Sequence, residues 1–488
     1  MKNPKARAAG LLLPLSALPS DQGCGSMGAQ ARRFVDLLAQ SGAAYWQILP
    51  INALGYGNSP YQPFSSFAGD PIFIDLDDPL VLGLLGASAG ALNPSSVAVE
   101  YERARAFKLS VLRRAFPAFR PGTDYASFAA LPWVRPYAVF KAFKNANGGV
   151  AWPQWPRPQR DWPELGGDLT PFEKEIAFES FVQYLFYTQW NALKAYANQA
   201  GVRIIGDVPI YVGLDSQDVW AGRENFLLDE AGNPTAVAGV PPDQFSALGQ
   251  RWGNPLYDWA RLQQSGFRFW IDRLRYAAEL FDVVRIDHFR AFDTYWEIPA
   301  SEPTAVRGAW REAPGYALFD AVLRALPAMR VVVEDLGDLR PETFALRDHY
   351  HFPGMKILQY TFEPGAAQRP GEGEPNMVAY TGTHDNQTVR SWFEAQSPQW
   401  RQSARESLEK SGFWQGDSSR SFVSLALADA AELAILPVWD LLGLDDRARI
   451  NTPGTLGSPN WEWKLRDFLA LEERLKALKG EIAASGRV

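Results

Sequence analysis

The chain has 488 residues, 47% hydrophobic and 21% charged, with no long low-complexity tract, a balance that fits a globular protein with a large core. A formal net charge of −7 and the want of any Lys/Arg-rich run argue against nucleic acid and anionic membrane as partners. The single cysteine, Cys24, excludes an internal disulfide framework and a multi-thiolate metal site.

In chain order, Lys2, Lys5 and Arg7 precede an apolar run, a pattern that signal peptides share with buried first strands. The run is short and broken by Pro14 and Pro19, so Gly10 to Leu15 reads as a first strand. No stretch reaches the roughly 18 uninterrupted apolar residues of a membrane span. A Gly-rich loop leads to a helix over 29–41, and Tyr45 to Ile51 reads as the second strand. The polar loop Gly55 to Asp70 has too little aliphatic surface for a core; its Ser59, Tyr61 and Gln62 can bond a hydroxyl-rich ligand. Residues 75–198 alternate helical patterns with Pro/Trp-rich turns and read as a mostly helical insertion whose spacing names no chemistry. Strand three is Val202 to Ile210, with Asp207 near its end, either as a turn residue or lining a cleft. The segment 239–257 is dense in loop residues, includes Gln250 and Trp252, and reads as a lid or binding loop. Aromatics make up 13% of the chain, and rings in such loops suit stacking on flat sugar faces.

Strand four, within FDVVRIDHFR (281–290), runs from β-branched residues into Arg285, Asp287, His288 and Arg290. Period-two alternation puts Arg285 and Asp287 on one face, where the guanidinium keeps a neighbouring carboxylate ionised. Two later stretches repeat the design: MRVVVEDLGD ends in Glu334 and Asp335, with Glu334 on the face of Val332 and Asp335 on the other, and NMVAYTGTHDNQT ends in His384 and Asp385. About 50 residues separate the successive acids, room for a strand, a loop, a helical crossover and the next strand. Strands five to eight fall near 331–336, 355–361, 377–381 and 432–436. Eight strands interleaved with helices predict one α/β domain over 1–488, a TIM-type (β/α)8 barrel with the insertion between strands two and three and further loop insertions. An open doubly wound sheet is the alternative, weakened because no GxGxxG turn follows the first strand.

Carboxylates at three strand ends suggest glycoside chemistry, with Asp287 as nucleophile, Glu334 as acid/base and Asp385 holding sugar hydroxyls and steadying positive charge. Glu334 fits its role if Asp335 and Asp287 raise its pKa. The competing reading of Asp287 is a structural ion pair with Arg285 or Arg290. Two of the four histidines, His288 and His384, fall in these motifs, but no HExxH-type spacing points to a metal, so neither metal nor cofactor is expected.

At this point the chain resembles the amylomaltase (disproportionating enzyme) family of 4-α-glucanotransferases, glycoside hydrolase family 77, in the α-amylase clan. The resemblance rests on LLLPLSALPS, YWQILPINALGYGNSPYQPFSSFAGDP, GDVPIYVGLDSQDVWA, VAGVPPDQFSALGQRWGNPLYDW, VRIDHFRAF, VVVEDLG, FPGMKILQY, YTGTHDNQT and NTPGTLGSPNWEW, spread over 11–463. It implies transfer of an α-1,4-glucan segment to the 4-hydroxyl of glucose or a maltooligosaccharide, by a retaining mechanism, in the cytoplasm, by a monomer or homodimer. It also implies Asp287 as nucleophile, Glu334 as acid/base and Asp385 as transition-state stabiliser. Tyr61, Ser59, Asp207, Gln250, Trp252, Arg285, His384, Asp335 and Asn460 become substrate contacts, and Tyr56 part of a second, remote glucan site. Cys24 stands where the family pattern suggests an aliphatic residue, a change of packing rather than of chemistry.

Overall fold

A computed structural model describes residues 7–92, 96–242, 246–362 and 373–487. Lys2 and Lys5, and positions 243–245 of the anticipated binding loop, lie outside the described residues. Eight parallel strands form the central sheet: β1 (Ala8–Leu12), β2 (Tyr45–Gln47), β3 (Arg203–Val208), β6 (Val283–Ile286), β9 (Val331–Val333), β10 (Gly354–Ile357), β11 (Met377–Tyr380) and β12 (Leu433–Pro437). Each pairs with the next in chain order except β9 with β10, and β12 returns to β1. Between β9 and β10 the ring nearly closes, with Val333 N donating to Pro353 O at 2.9 Å. This is the TIM-type barrel that the strand count predicts.

The strands form where β-branched and aliphatic residues run together, and they are almost wholly buried. They are shorter than the apolar runs that announce them. Ile48 to Ile51 stay in the core after β2 has ended, and Leu358–Thr361 turn into a short helix directly after β10. In β3 a Cβ on Gly206 would stand 2.1 Å from the Phe281 ring, so only glycine lets this strand carry Asp207 past that neighbour.

Between β2 and β3 the chain is largely helical, ending in the helix Glu173–Gln199. Aromatic packing welds this region to the barrel: Trp133 and Tyr187 meet Tyr276 of the barrel helix Arg268–Leu280 at 5.6 and 5.7 Å. A second, antiparallel sheet stands over one side of the barrel mouth, in the order β5 (Gln250–Pro255), β4 (Ala236–Val240), β7 (Thr294–Pro299), β8 (Ala309–Glu312). The stretch expected to be loop around Gln250 and Trp252 is therefore partly strand: β5 pairs with nearby β4, which pairs in turn with β7 about 60 residues further on. Among the described residues no helix is long and apolar enough to cross a membrane.

Candidate active site

The parallel register aligns Asp207 on β3 with Arg285 on β6, and Arg285 with Val332 on β9. Arg285 therefore points inward near the C-terminal end of the barrel, its side chain only 3% exposed. One guanidinium serves three carboxyls: Nη1 donates to Asp207 Oδ2 at 2.5 Å and to Asp287 Oδ1 at 3.2 Å, and Nη2 donates to Glu334 Oε2 at 2.8 Å. Such a buried cation is tolerable only because each of its forks is met by an acid.

Asp287 and Glu334 each follow the last residue of their strand. Backbone bonds lock the two corners together: Glu334 N donates to Ile286 O at 2.9 Å and Phe289 N to Glu334 O at 3.0 Å. His288 takes a left-handed backbone, φ 48°, which turns its N–H toward Glu334 Oε2 at 3.1 Å. Burial pushes the Glu334 carboxyl up, but Arg285, the hydrogen bond shared with Asp287 and the His288 site overcome this and hold it at about 2. Asp287 goes the other way: burial and the Glu334 charge raise it well above the usual carboxylate range, and Arg285 offsets this only in part. The two neighbouring acids are thus pushed in opposite directions, Asp287 toward its protonated form and Glu334 toward its ionised one.

That sense of the shift corrects the sequence expectation for Glu334. Asp335 cannot raise it, because Asp335 faces the other way, its Oδ2 accepting from Arg347 at 2.5 Å and its Oδ1 from Met355 N at 2.7 Å. Asp335 is accordingly a buried brace between β9 and β10, a correction to its expected place among the substrate contacts.

On the opposite wall, Tyr61 donates its hydroxyl to Asp207 Oδ2 at 2.8 Å and lies 2.9 Å from His384 Nε2, while the two rings stack at 5.3 Å. Burial and the Asp207 charge keep that hydroxyl protonated. Asp385 follows on the turn beyond β11; its side chain is 41% exposed, with Oδ2 3.4 Å from His384 Nε2. Three wall features carried no signal in the sequence reading. Asn451 donates Nδ2 to Asp385 Oδ1 at 2.6 Å, Trp461 lies 5.9 Å from the Tyr61 ring, and Tyr360 accepts from Asn386 Nδ2 at 2.6 Å. The stretches NTPGTLGSPNWEW and FPGMKILQY contain these residues, but only the fold brings them to the turn that carries Asp385.

The small sheet supplies the remaining side. Trp252 on β5 meets His288 edge to face at 4.9 Å and donates Nε1 to Gln250 Oε1 at 3.2 Å; its carbonyl accepts from Gln62 Nε2 at 3.2 Å. Burial lowers His288 to about 4, so it offers Trp252 a neutral ring. Ser59 and Asn460 shape loops here: Ser59 Oγ accepts from Tyr61 N at 3.3 Å, and Asn460 bonds Thr452 N at 2.8 Å and Thr455 Oγ1 at 2.9 Å. Tyr56 stands apart from the carboxyl cluster. It is 78% exposed on the rim of a separate cavity of about 350 Å³ that also holds Phe64, Arg105 and Lys141.

The arrangement is a cleft with two carboxyls held on one guanidinium, a third acid nearby and aromatic walls. Known proteins share this chain's sequence almost end to end. A family model for glycoside hydrolase family 77, described as 4-alpha-glucanotransferase, matches residues 13–470. The 4-alpha-glucanotransferase of Thermus thermophilus is 44% identical over 478 residues, 94% of this chain and 95% of that one. That of Synechocystis is 42% identical over 493 residues, covering 95% and 96%. Among solved structures, amylomaltase from Streptococcus agalactiae in complex with acarbose superposes with a TM-score of 0.91 at 34% identity, covering 99% of each chain.

Proposed function

Because the chain belongs to the 4-alpha-glucanotransferases of glycoside hydrolase family 77 and has that activity, we propose that it works by retaining double displacement with Asp287, Glu334 and Asp385. The observation that carries this reading is that Asp287 and Glu334 accept from the two Nη atoms of one guanidinium, at 3.2 and 2.8 Å. Carboxyls this close suit the retaining geometry of roughly 5 to 5.5 Å once a sugar parts them, not the roughly 6.5 to 9.5 Å that an inverting enzyme leaves for a water.

In the first step Asp287 attacks the anomeric carbon as the bond to the leaving sugar oxygen breaks, and that oxygen takes the proton of Glu334. In the free site burial and the Glu334 charge favour the protonated form of Asp287. A glucosyl ring entering between the two carboxyls separates them, and the leaving oxygen presents Glu334 with a partner only its acid form can serve. Proton transfer from Asp287 to Glu334 therefore accompanies donor binding. In the second step the acceptor 4-hydroxyl attacks the same carbon, gives its proton to Glu334 and releases Asp287, so the α-configuration returns. Asp385 and the stacked pair Tyr61–His384 hold the reacting sugar and its developing positive charge.

Transfer prevails over hydrolysis when an acceptor sugar occupies the wall formed by Trp252 and Gln250 and keeps water from the intermediate. The substrates we propose are α-1,4-glucans and maltooligosaccharides, with Tyr56 marking a more distant glucan contact. Every residue in this scheme comes from one chain, so a monomer suffices. The single, buried cysteine suits a reducing cytoplasm.

Incubation with maltotriose alone tests the reading. Glucose with maltopentaose and longer chains, at constant total reducing ends, is the expected result. A rise in reducing ends with only glucose and maltose would make the protein a hydrolase.

A further inference from the structure

We infer that Asn451 and Arg449, on the segment after β12, are positioning residues that set the orientation of the Asp385 carboxylate; this rests on the proposed role of Asp385. The segment grips the dipeptide His384–Asp385 at three points. Asn451 N donates to His384 O at 3.0 Å, Arg449 Nη2 to Asp385 O at 2.9 Å, and Asn451 Nδ2 to Asp385 Oδ1 at 2.6 Å. Arg449 also donates Nε to Asn451 O at 2.8 Å, so the two gripping residues form one unit.

The unit is itself anchored. Trp461 N donates to Ile450 O at 2.6 Å, and Asn460 Oδ1 accepts from Thr452 N, closing the loop that leaves the segment. From below, the buried Asp440 accepts from Thr381 Oγ1 at 2.6 Å and Val389 N at 2.8 Å, the two ends of the turn that carries Asp385. Asp446 accepts from Gln387 Nε2 and Thr388 N, both at 2.9 Å.

Two features make this grip specific to the carboxylate's task. With 41% of its side chain exposed, Asp385 is too open for packing alone to fix its rotamer, so the donor on Oδ1 fixes it and leaves Oδ2, beside His384 Nε2, toward the cleft. The donor on the carboxylate is also a neutral amide. Arg449 donates to two carbonyls instead, so the grip places no cation on the carboxylate that faces a positive transition state. The other groups facing Asp385 are His384, Tyr61 and Tyr360, all outside the gripping segment.

The test uses the full chain and four variants: Asn451→Ser, Asn451→Asp, Arg449→Lys and Asp385→Asn. Each is first checked for wild-type thermal unfolding, then assayed for kcat and KM in maltotriose disproportionation across pH. Asn451→Ser lowers kcat about 10- to 100-fold and leaves KM within about threefold, the loss expected of a misplaced rather than missing group. Arg449→Lys, which keeps the charge but not the fork, falls between it and wild type. Asn451→Asp sets two carboxyls against each other, which must share a proton, so the acid limb of kcat moves up by about one pH unit or more. A merely structural asparagine would move neither kcat at constant KM nor that limb. Folded Asn451→Ser and Asn451→Asp proteins with wild-type kcat and an unmoved limb, beside an inactive Asp385→Asn, overturn the inference alone. A fully active Asp385→Asn overturns the reading of Asp385 and this inference with it.

Discussion

Replacing Arg285 by Met is the sharpest perturbation of the carboxyl cluster, because one side chain balances three acids. In the wild-type site one guanidinium donates to all three carboxyls, Asp207, Asp287 and Glu334. Methionine fills the aliphatic part of the space and removes the cation. Asp207, 2% exposed, then keeps only the Tyr61 hydroxyl, and Glu334 keeps the His288 N–H and Asp287. Breaking one side of a buried pair costs about 3–5 kcal/mol, mostly the desolvation of the charge left behind. The variant can escape much of this by binding a proton. Its carboxyl pKa values in the folded state then lie above their unfolded values, so the penalty is absent below the unfolded pKa and grows as pH rises through the folded one. Urea unfolding of both proteins at pH 5 and pH 8, followed by Trp fluorescence, should show a deficit of about 3–5 kcal/mol at pH 8 that shrinks clearly at pH 5. Disproportionation should fall at least roughly 10²- to 10³-fold at either pH, as when a fixed electrostatic partner is lost. An equal deficit at the two pH values would refute the claim that one cation balances these buried acids.

Two other changes probe the surroundings of the site. Trp252→Ala removes the ring that packs on His288, and the ratio of hydrolysis to transfer should rise roughly three- to tenfold as water gains access; product analysis from maltotriose reads this ratio, and an unchanged value would take the small sheet out of the explanation. Burial raises Asp440 to about 7 against the hydrogen bonds from Thr381 and Val389. Its folded pKa exceeds the unfolded value, so it contributes stability below about pH 4 that is lost as pH rises through 7. Asp440→Asn should therefore destabilise the protein more at pH 5 than at pH 8, as thermal melts at the two values will read; the opposite order would contradict the assignment.

The barrel was legible because buried parallel strands are near-continuous β-branched runs, and runs such as VVRI and VVV have few other homes. Strand ends were less so: Leu49 and Ile51 stay apolar after β2 has ended, because the core continues where the ladder stops. The antiparallel sheet was hidden, since QRWGNP carries turn-type residues and finds its partners through β4 in β7 and β8. Asp287 and Glu334 stood out because each directly follows an apolar strand, and Asp385 because it lies on the turn beyond one. The alternation that puts Glu334 with Val332 also sends Asp335 the other way, so its expected substrate contact ran against a pattern already visible. The opposite shifts of Asp287 and Glu334 were beyond sequence reasoning, because they depend on which oxygens one guanidinium and one left-handed N–H reach. Asn451 lies in the stretch NTPGTLGSPNWEW, but nothing in that stretch gives it a role, and only the fold brings it to Asp385.

The central claim, a covalent glycosyl-enzyme on Asp287, is tested most directly in Glu334→Gln. A glucosyl fluoride donor needs no acid to release fluoride, whereas breakdown of the intermediate needs the missing base, so the adduct should accumulate. Mass spectrometry of the intact protein, and then of its peptides, should show one added anhydroglucose on the peptide that contains Asp287. An adduct on another residue, or fluoride release giving the inverted sugar with no adduct, would contradict the account.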